Sequence, residues 1–250
     1  MSKVAVITGA TGGIGFAVAK RLGQDGFTVV LNGIEDDMGA KRVEELAAEG
    51  ITAEYYGFDV TKEEEVTANI TKIGEKYGQI DVLVNNAGGL GGRQRFEEMT
   101  TEFYRFVMAL NLDSAFFASR AAIPFLKKSD NASIINYTSN AGWNAGGPGA
   151  GIYGTSKGAV HTLTRALAKD LAEYGIRANA VSPGTIDTDF HKQIKSTKPE
   201  VFKSWANNIM LGRLGQPEDV SGVVSFLASE NAAFITAETI QIGGGQALGI

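Results

Sequence analysis

KVAVITGATGGIG (residues 3–15) joins a β-branched apolar run to a glycine-rich turn and then to an apolar-periodic stretch. KVAVIT has the length and continuous apolar character of a strand buried on both faces. The glycine turn behind it frees backbone N–H groups to face an anion. A helix over about residues 14–24 would point its positive dipole end at the same place. The glycines fall at 9, 13 and 15, a G-x-x-x-G-x-G spacing rather than the commoner G-x-G-x-x-G. A purely structural turn would look similar alone. Its place directly after the first strand makes Gly9, Thr11, Gly12, Gly13, Ile14 and Gly15 candidates to hold a pyrophosphate.

The same alternation continues along the chain. Strand patterns occur at FTVVLN (27–32), TAEYYGFDV (52–60), IDVLVNN (80–86), ASIINYTS (132–139), IRANAVSPG (176–184) and ETIQIGG (238–244). Helical patterns lie between them: 38–50 with Gly50 as stop, 61–78, 101–128, 153–174 and 217–229. The third helix carries Thr61 with Glu64 three residues on, which predicts a capping box. The long 101–128 helix is expected to kink near Pro124. Residues 187–213 read as irregular and polar. Strands alternating with helices imply a parallel sheet covered on both faces. With no repeat, linker or charge block, residues 1–250 read as one doubly wound α/β domain.

Composition narrows the function classes. The chain has 250 residues, a net charge of −5 and no cysteine. Disulfides, thiolate metal sites and Cys nucleophiles are excluded, and no local ligand motif predicts a metal. No basic-aromatic run appears, so neither nucleic acid nor an anionic membrane is an expected partner. The strand pattern begins by residue 3, leaving no room for a signal peptide. No apolar run was expected to reach the ~18 residues of a membrane span. A cytoplasmic location is the expectation.

IYGTSKGAV (152–160) sets Tyr153 and Lys157 four residues apart, on one helix face. An ammonium beside a phenol favours the phenolate and lowers a pKa ordinarily near ~10. The pair alone also fits a surface Tyr lying on a Lys stem. In order along the chain stand T-G-x-x-x-G-I-G, NNAG (85–88), a Ser ahead of Y-x-x-x-K, and SPG (182–184). Together they resemble the short-chain dehydrogenase/reductase family over essentially the whole chain. The resemblance implies one Rossmann domain with a seven-stranded parallel sheet, assembled as a homotetramer or homodimer.

It also implies a catalytic tetrad of Asn111, Ser139, Tyr153 and Lys157. Tyr153 would exchange a proton with the substrate oxygen while hydride passes to or from nicotinamide. Lys157 would lower the Tyr pKa and bind the nicotinamide ribose. Ser139 would hold the substrate oxygen, and Asn111 a water linking Lys157 to solvent. Asn86, Ala87 and Gly88 would line the cofactor cleft, while Asn85 would tie the fourth strand to its neighbours. Asp59 with Val60 would meet the adenine, although Asp59 equally suits a capping carboxylate before Thr61. The SPGTIDT loop would receive the carboxamide, through Pro183, Gly184, Ile186 and Thr188.

Cofactor choice rests on LNGIEDD at the end of the second strand. An acid there accepts from the ribose 2′-OH, and an Arg pairs a 2′-phosphate. The family's acid position falls at Gly33 and its Arg position at Ile34, while Gly12 replaces the basic residue of many NADP members. Glu35, Asp36 and Asp37 follow, and like charge disfavours a phosphate. NAD(H) is therefore favoured over NADP(H).

Three variable stretches would contact substrate: GLGGRQRFEE, NAGWNAGGPGAG and residues 187–213, the last as a lid. An Arg fork from Arg93 and Arg95 suits a carboxylate. With Ser139, Trp143, Asn144 and Tyr153 it predicts a small keto, hydroxy or sugar acid. Both arginines are equally open to a solvated or subunit-interface role, and His191 and Trp205 have no assigned part. A 3-oxoacyl thioester reductase is the alternative activity. VVLNG also resembles 3-hydroxybutyrate dehydrogenases. A cofactor-sensing protein on a dead Rossmann fold is the alternative of another class.

Overall fold

The computed structural model describes residues 3–246; Met1, Ser2 and residues 247–250 lie outside it. Seven strands form one parallel sheet: β1 (Val4–Ile7), β2 (Thr28–Gly33), β3 (Ala53–Gly57), β4 (Val82–Asn85), β5 (Ser133–Tyr137), β6 (Arg177–Pro183) and β7 (Thr239–Ile242). Their order is β3-β2-β1-β4-β5-β6-β7. The order reverses at β1, which opens a crevice beyond the C-terminal ends of β1 and β4.

Alternation along β1 explains the two cores. Ala5 and Ile7 pack with Val18, Ala19 and Leu22 of helix α1 (Gly13–Gln24), and with Val220, Val224 and Leu227 of helix α10 (Pro217–Ala228). Val4 and Val6 face the other way. They join Val66, Ile70 and Ile73 of α3 (Glu63–Tyr77) and Ala118, Ala122 and Leu126 of α5 (Ser114–Leu126). Side chains of fully buried Ile and Leu contribute about 1.5–3 kcal/mol each, so both faces of the sheet are held. Helix α2 (Asp36–Ala48) follows β2, α4 (Thr101–Met108) precedes α5, and α6 (Ala141–Asn144) and α7 (Gly151–Leu171) follow β5. Residues 187–213 are not simply irregular. They hold α8 (Lys192–Thr197), α9 (Pro199–Ser204) and 3₁₀ turns on either side.

Polar groups pin the register. Asp81 accepts from the Val4 N–H at 2.6 Å and from the Ser129 hydroxyl at 2.5 Å. Below the site, the Asn85 amide donates to Asn136 Oδ1 at 2.8 Å and Ser119 Oγ at 2.9 Å, and Asn136 donates to Thr164 Oγ1 at 2.9 Å. This buried chain fastens β4, β5, α5 and α7 to one another.

Three local expectations fail. The capping box at Thr61 does not form, because α3 begins at Glu63. Asp59 Oδ1 takes both the Thr61 N–H (2.9 Å) and the Thr61 hydroxyl (2.7 Å), while Glu65 accepts from the Asp59 N–H. The irregularity in the long helix lies at Ala109–Asp113, a π-turn between α4 and α5, whereas Pro124 is carried inside α5. Such turns commonly mark functional positions. Finally, Thr101–Leu126 is long and apolar enough to cross a membrane, with mean hydropathy 1.2. Here it serves as a core helix: Val107, Ala115, Ala118, Ala122 and Leu126 are buried, and the π-turn interrupts it.

Candidate active site

A cleft of about 700 Å³ opens at the crevice, and residues from beyond the ends of β1, β4, β5 and β6 converge on it. Gly9, Gly12, Gly13, Ile14 and Gly15 form one side. Gly9 and Gly13 have φ of +62° and +52°, a region that disfavours a Cβ. At Gly15 a Cβ would meet Gly9 O at 2.3 Å and Asn86 Nδ2 at 2.5 Å. That amide donates to Thr8 O and Gly9 O, at 2.9 Å each, and so holds the turn. The N-terminus of α1 has no side-chain cap and no acid in its first turn. Its free N–H groups and the open space at Gly12 fit a bound pyrophosphate.

Tyr153, Lys157 and Ser139 meet across the cleft from the glycine turn. α7 supplies the first two at its start, and the end of β5 supplies the third. Ser139 stands close enough to Tyr153 to act on its titration. Burial pushes the Tyr153 pKa up, and the Ser139 contact pulls it back in part. Lys157 Nζ stands 5.9 Å from the Tyr153 ring centroid and donates to Tyr137 O at 2.9 Å. Burial lowers the Lys157 pKa to about 8. The expected depression of the Tyr153 pKa by Lys157 is therefore absent from this arrangement. Burial is the largest influence on both groups.

Asn111 occupies the π-turn and is 1% exposed. Its Oδ1 accepts the Gly89 N–H at 2.9 Å, and its Nδ2 donates to Gly89 O and Val107 O, also at 2.9 Å. The amide braces the loop after β4. Gly88 lies between Asn111 and Lys157: a Cβ there would stand 2.8 Å from both Asn111 Oδ1 and Lys157 Nζ. Backbone at Gly88 thus packs directly against the two side chains.

Of the remaining predicted cofactor residues, Asn86, Gly88, Pro183, Gly184, Ile186 and Thr188 line the cleft. Thr11, Gly33, Asp59, Val60 and Ala87 do not. Thr11 instead packs its side chain where a Gly33 Cβ would go, 2.5 Å from Cγ2. The Asp59 carboxylate holds Thr61, Val60 is buried in the core, and the Ala87 N–H donates to Thr8 Oγ1.

The substrate expectations need larger correction. Arg93 donates to Pro148 O at 3.0 Å, bracing the loop before α7, and is exposed. Arg95 is also exposed, just before a 3₁₀ turn at Phe96–Glu98. Neither lines the cleft. Trp143 turns away to lie on His161, ring centroids 4.4 Å apart. Asn144 does line the cleft, with Oδ1 accepting the Gly146 N–H. The wall beyond Tyr153 is built by Phe190, His191, Trp205 and Asn208. His191 centres an aromatic cluster, 5.0 Å from Phe190, 5.5 Å from Phe202 and 5.3 Å from Trp205. Burial, its largest influence, lowers the His191 pKa, with Asp187 opposing and Lys195 adding to the shift. Gln246 closes the loop after β6 through Thr185, accepting its N–H and donating to its hydroxyl at 2.9 Å each. No periodicity or spacing signals that contact.

A family model described as enoyl-(acyl carrier protein) reductase matches residues 9–247. The chain is 35% identical over 244 residues to the human protein "Dehydrogenase/reductase SDR family member 4" (Homo sapiens), covering 98% of this chain and 87% of that protein. It is 37% identical over 245 residues to the 3-oxoacyl-(acyl-carrier-protein) reductase of Thermotoga maritima, covering 97% of each. The ligand-free structure of aldohexose dehydrogenase from Thermoplasma acidophilum superposes with a TM-score of 0.88 at 34% identity, covering 99% of this chain and 94% of that one.

Proposed function

The chain belongs to the short-chain dehydrogenase/reductase family, and on that premise we propose that it moves a hydride between NAD(H) and the carbonyl or secondary alcohol of a small substrate. The observation that carries this reading is the meeting of Ser139, Tyr153 and Lys157 opposite an uncapped helix N-terminus in one cleft. When bound, the nicotinamide supplies or accepts the hydride. Gly9, Gly13 and the first turn of α1 hold the pyrophosphate, and Ile186 and Thr188 flank the carboxamide side. Ser139 orients the substrate oxygen and Tyr153 Oη passes the proton. A phenol held protonated by burial serves directly as the acid in carbonyl reduction. Asn111 acts through the Gly88–Gly89 backbone as a positioning residue for Lys157.

NAD(H) is favoured over NADP(H), since no Arg stands at Ile34 and acids follow it. NADH should exceed NADPH in kcat/KM by about one to two decades, or about 1.4–2.7 kcal/mol. The arginines on which a keto-acid or sugar-acid substrate rested lie outside the cleft, and the lining near Tyr153 is aromatic, so a neutral hydroxy-ketone or sugar suits the site better. A 3-oxoacyl thioester remains the alternative, as the name of the Thermotoga relative suggests for that protein. We place the enzyme in the cytoplasm as a homotetramer or homodimer. Exposed Tyr104, Phe106 and Phe116 on α4 and α5 favour self-association.

The test is a panel of neutral ketoses, cyclic ketones, keto acids and 3-oxoacyl thioesters, each with NADH and NADPH, read at 340 nm. Turnover confined to the acids would overturn the substrate reading. Absence of any substrate-dependent change with intact NADH binding would favour a cofactor sensor.

A further inference from the structure

LNGIEDD offers no cation at the end of β2, yet the fold brings one there from the middle of α2. Arg42 Nε donates to the Thr11 carbonyl at 2.9 Å, and its guanidinium lies 4.4 Å over the Phe16 ring. Thr11 is the residue whose side chain fills the space beside Gly33. The guanidinium is thus anchored to the residue that packs against the β2 end, near where a dinucleotide's 2′ substituent is read. Glu45, one turn further along α2, pairs Arg42 Nη1 at 2.6 Å. Both side chains are partly shielded, at 24% and 37% exposure, so the pair is less screened than an open surface bridge.

We propose that Arg42 is a masked phosphate-binding cation, and that its pairing with Glu45 is a determinant of the preference for a free ribose 2′-hydroxyl. An arginine recognises a phosphate through two parallel N–H donors. Here Nη1 is committed to a carboxylate whose own charge would also repel a 2′-phosphate. Nη2 has no hydrogen-bond partner among the described residues. Neutralising Glu45 removes the repulsion and releases the bidentate edge, while the Thr11 carbonyl and Phe16 ring keep the guanidinium in place. The discrimination then lies in a pair on α2, in addition to the β2 loop that a sequence motif inspects.

This inference rests on the nicotinamide-dinucleotide reading, and the experiment separates the two. Dissociation constants for NADH and NADPH are measured by nicotinamide fluorescence for wild type, Glu45→Gln, Arg42→Gln and the double variant, with thermal melts verifying the fold. Glu45→Gln should narrow the NADH-over-NADPH ratio by about three- to tenfold, an effect expected to fade with added salt. Adding Arg42→Gln should abolish that gain. An unchanged ratio in Glu45→Gln, or equal weakening of both cofactors, would make the pair only a clamp between α2 and the glycine turn. A gain persisting in the double variant would assign the effect to Glu45 charge alone. Either result overturns the proposal with the dinucleotide reading intact. Failure of wild type to bind either cofactor would overturn both.

Discussion

The two walls of the cleft are made of different material. The β1–α1 wall is backbone: Gly9, Gly12, Gly13 and Gly15 leave N–H groups and empty space, and Asn86 locks the turn from beneath. The opposite wall, from Thr188 to Asn208, is side chain: the rings of Phe190 and Trp205 each contact His191, all three on 3₁₀ turns that flank two short helices. A backbone wall reads a group shared by many ligands and tolerates almost no added atom. A side-chain wall reads shape, and its residues exchange with smaller losses. Between them stands α7, whose Tyr153 and Lys157 belong to the chemistry rather than to either wall.

The seam should show the largest effects. Tyr153→Phe removes only the proton relay, so turnover should fall by about 10²–10⁴ with NADH binding retained. A residual kcat above a tenth of wild type would sink the assignment. Lys157 tests the same seam through stability. Its folded pKa, about 8, lies below the ordinary 10.5, so the unfolded chain binds more protons between those values. Stability must therefore rise with pH across that window, and be at its lowest contribution below pH 8. The difference between wild type and Lys157→Met in chemical denaturation should shift towards wild type from pH 8 to 10, by at most on the order of 3 kcal/mol. A flat difference would mean that the ammonium is solvated in the folded protein.

The backbone wall comes next. Gly15→Ala brings a Cβ to 2.3 Å from Gly9 O, and should cost about 1–3 kcal/mol of stability together with most NADH affinity. Gly12→Ala meets nothing within 4 Å and should melt like wild type, so any loss of NADH binding there reports the ligand itself. Equal melting losses at both positions would break the distinction. The side-chain wall should respond least. Trp205→Ala removes a ring contact with His191 worth about 0.5–1.5 kcal/mol, and should raise KM severalfold while leaving NADH affinity unchanged. A changed NADH affinity would join the two walls into one site.

The contrast also explains what could be read early. The glycine turn and the Tyr153–Lys157 pair are legible because backbone approach and helical spacing act over a few residues, whereas Ser139 and the NNAG loop are singled out only by the family resemblance. The strands are equally visible, since a strand buried on both faces is largely apolar, as β1 is throughout. The capping box at Thr61 fails because Asp59 takes the Thr61 N–H that the box needs Glu64 to accept. The kink was placed at Pro124 because proline is visible in sequence, whereas the π-turn at Asn111 is set by the Gly89 loop that its amide holds.

By itself, then, the sequence determined the parallel order of strand and helix, the glycine turn after β1 and the Tyr153–Lys157 pair on one helix face. Each depends on local periodicity or on atoms a glycine lacks. Tertiary structure alone decided that Arg93 and Trp143 face away from the cleft, that Phe190, His191 and Trp205 face into it, and that Arg42 reaches Thr11 across 31 residues. Those outcomes depend on which distant groups compete for a charge, a ring or a carbonyl, and such competition is settled only when the chain has closed on itself.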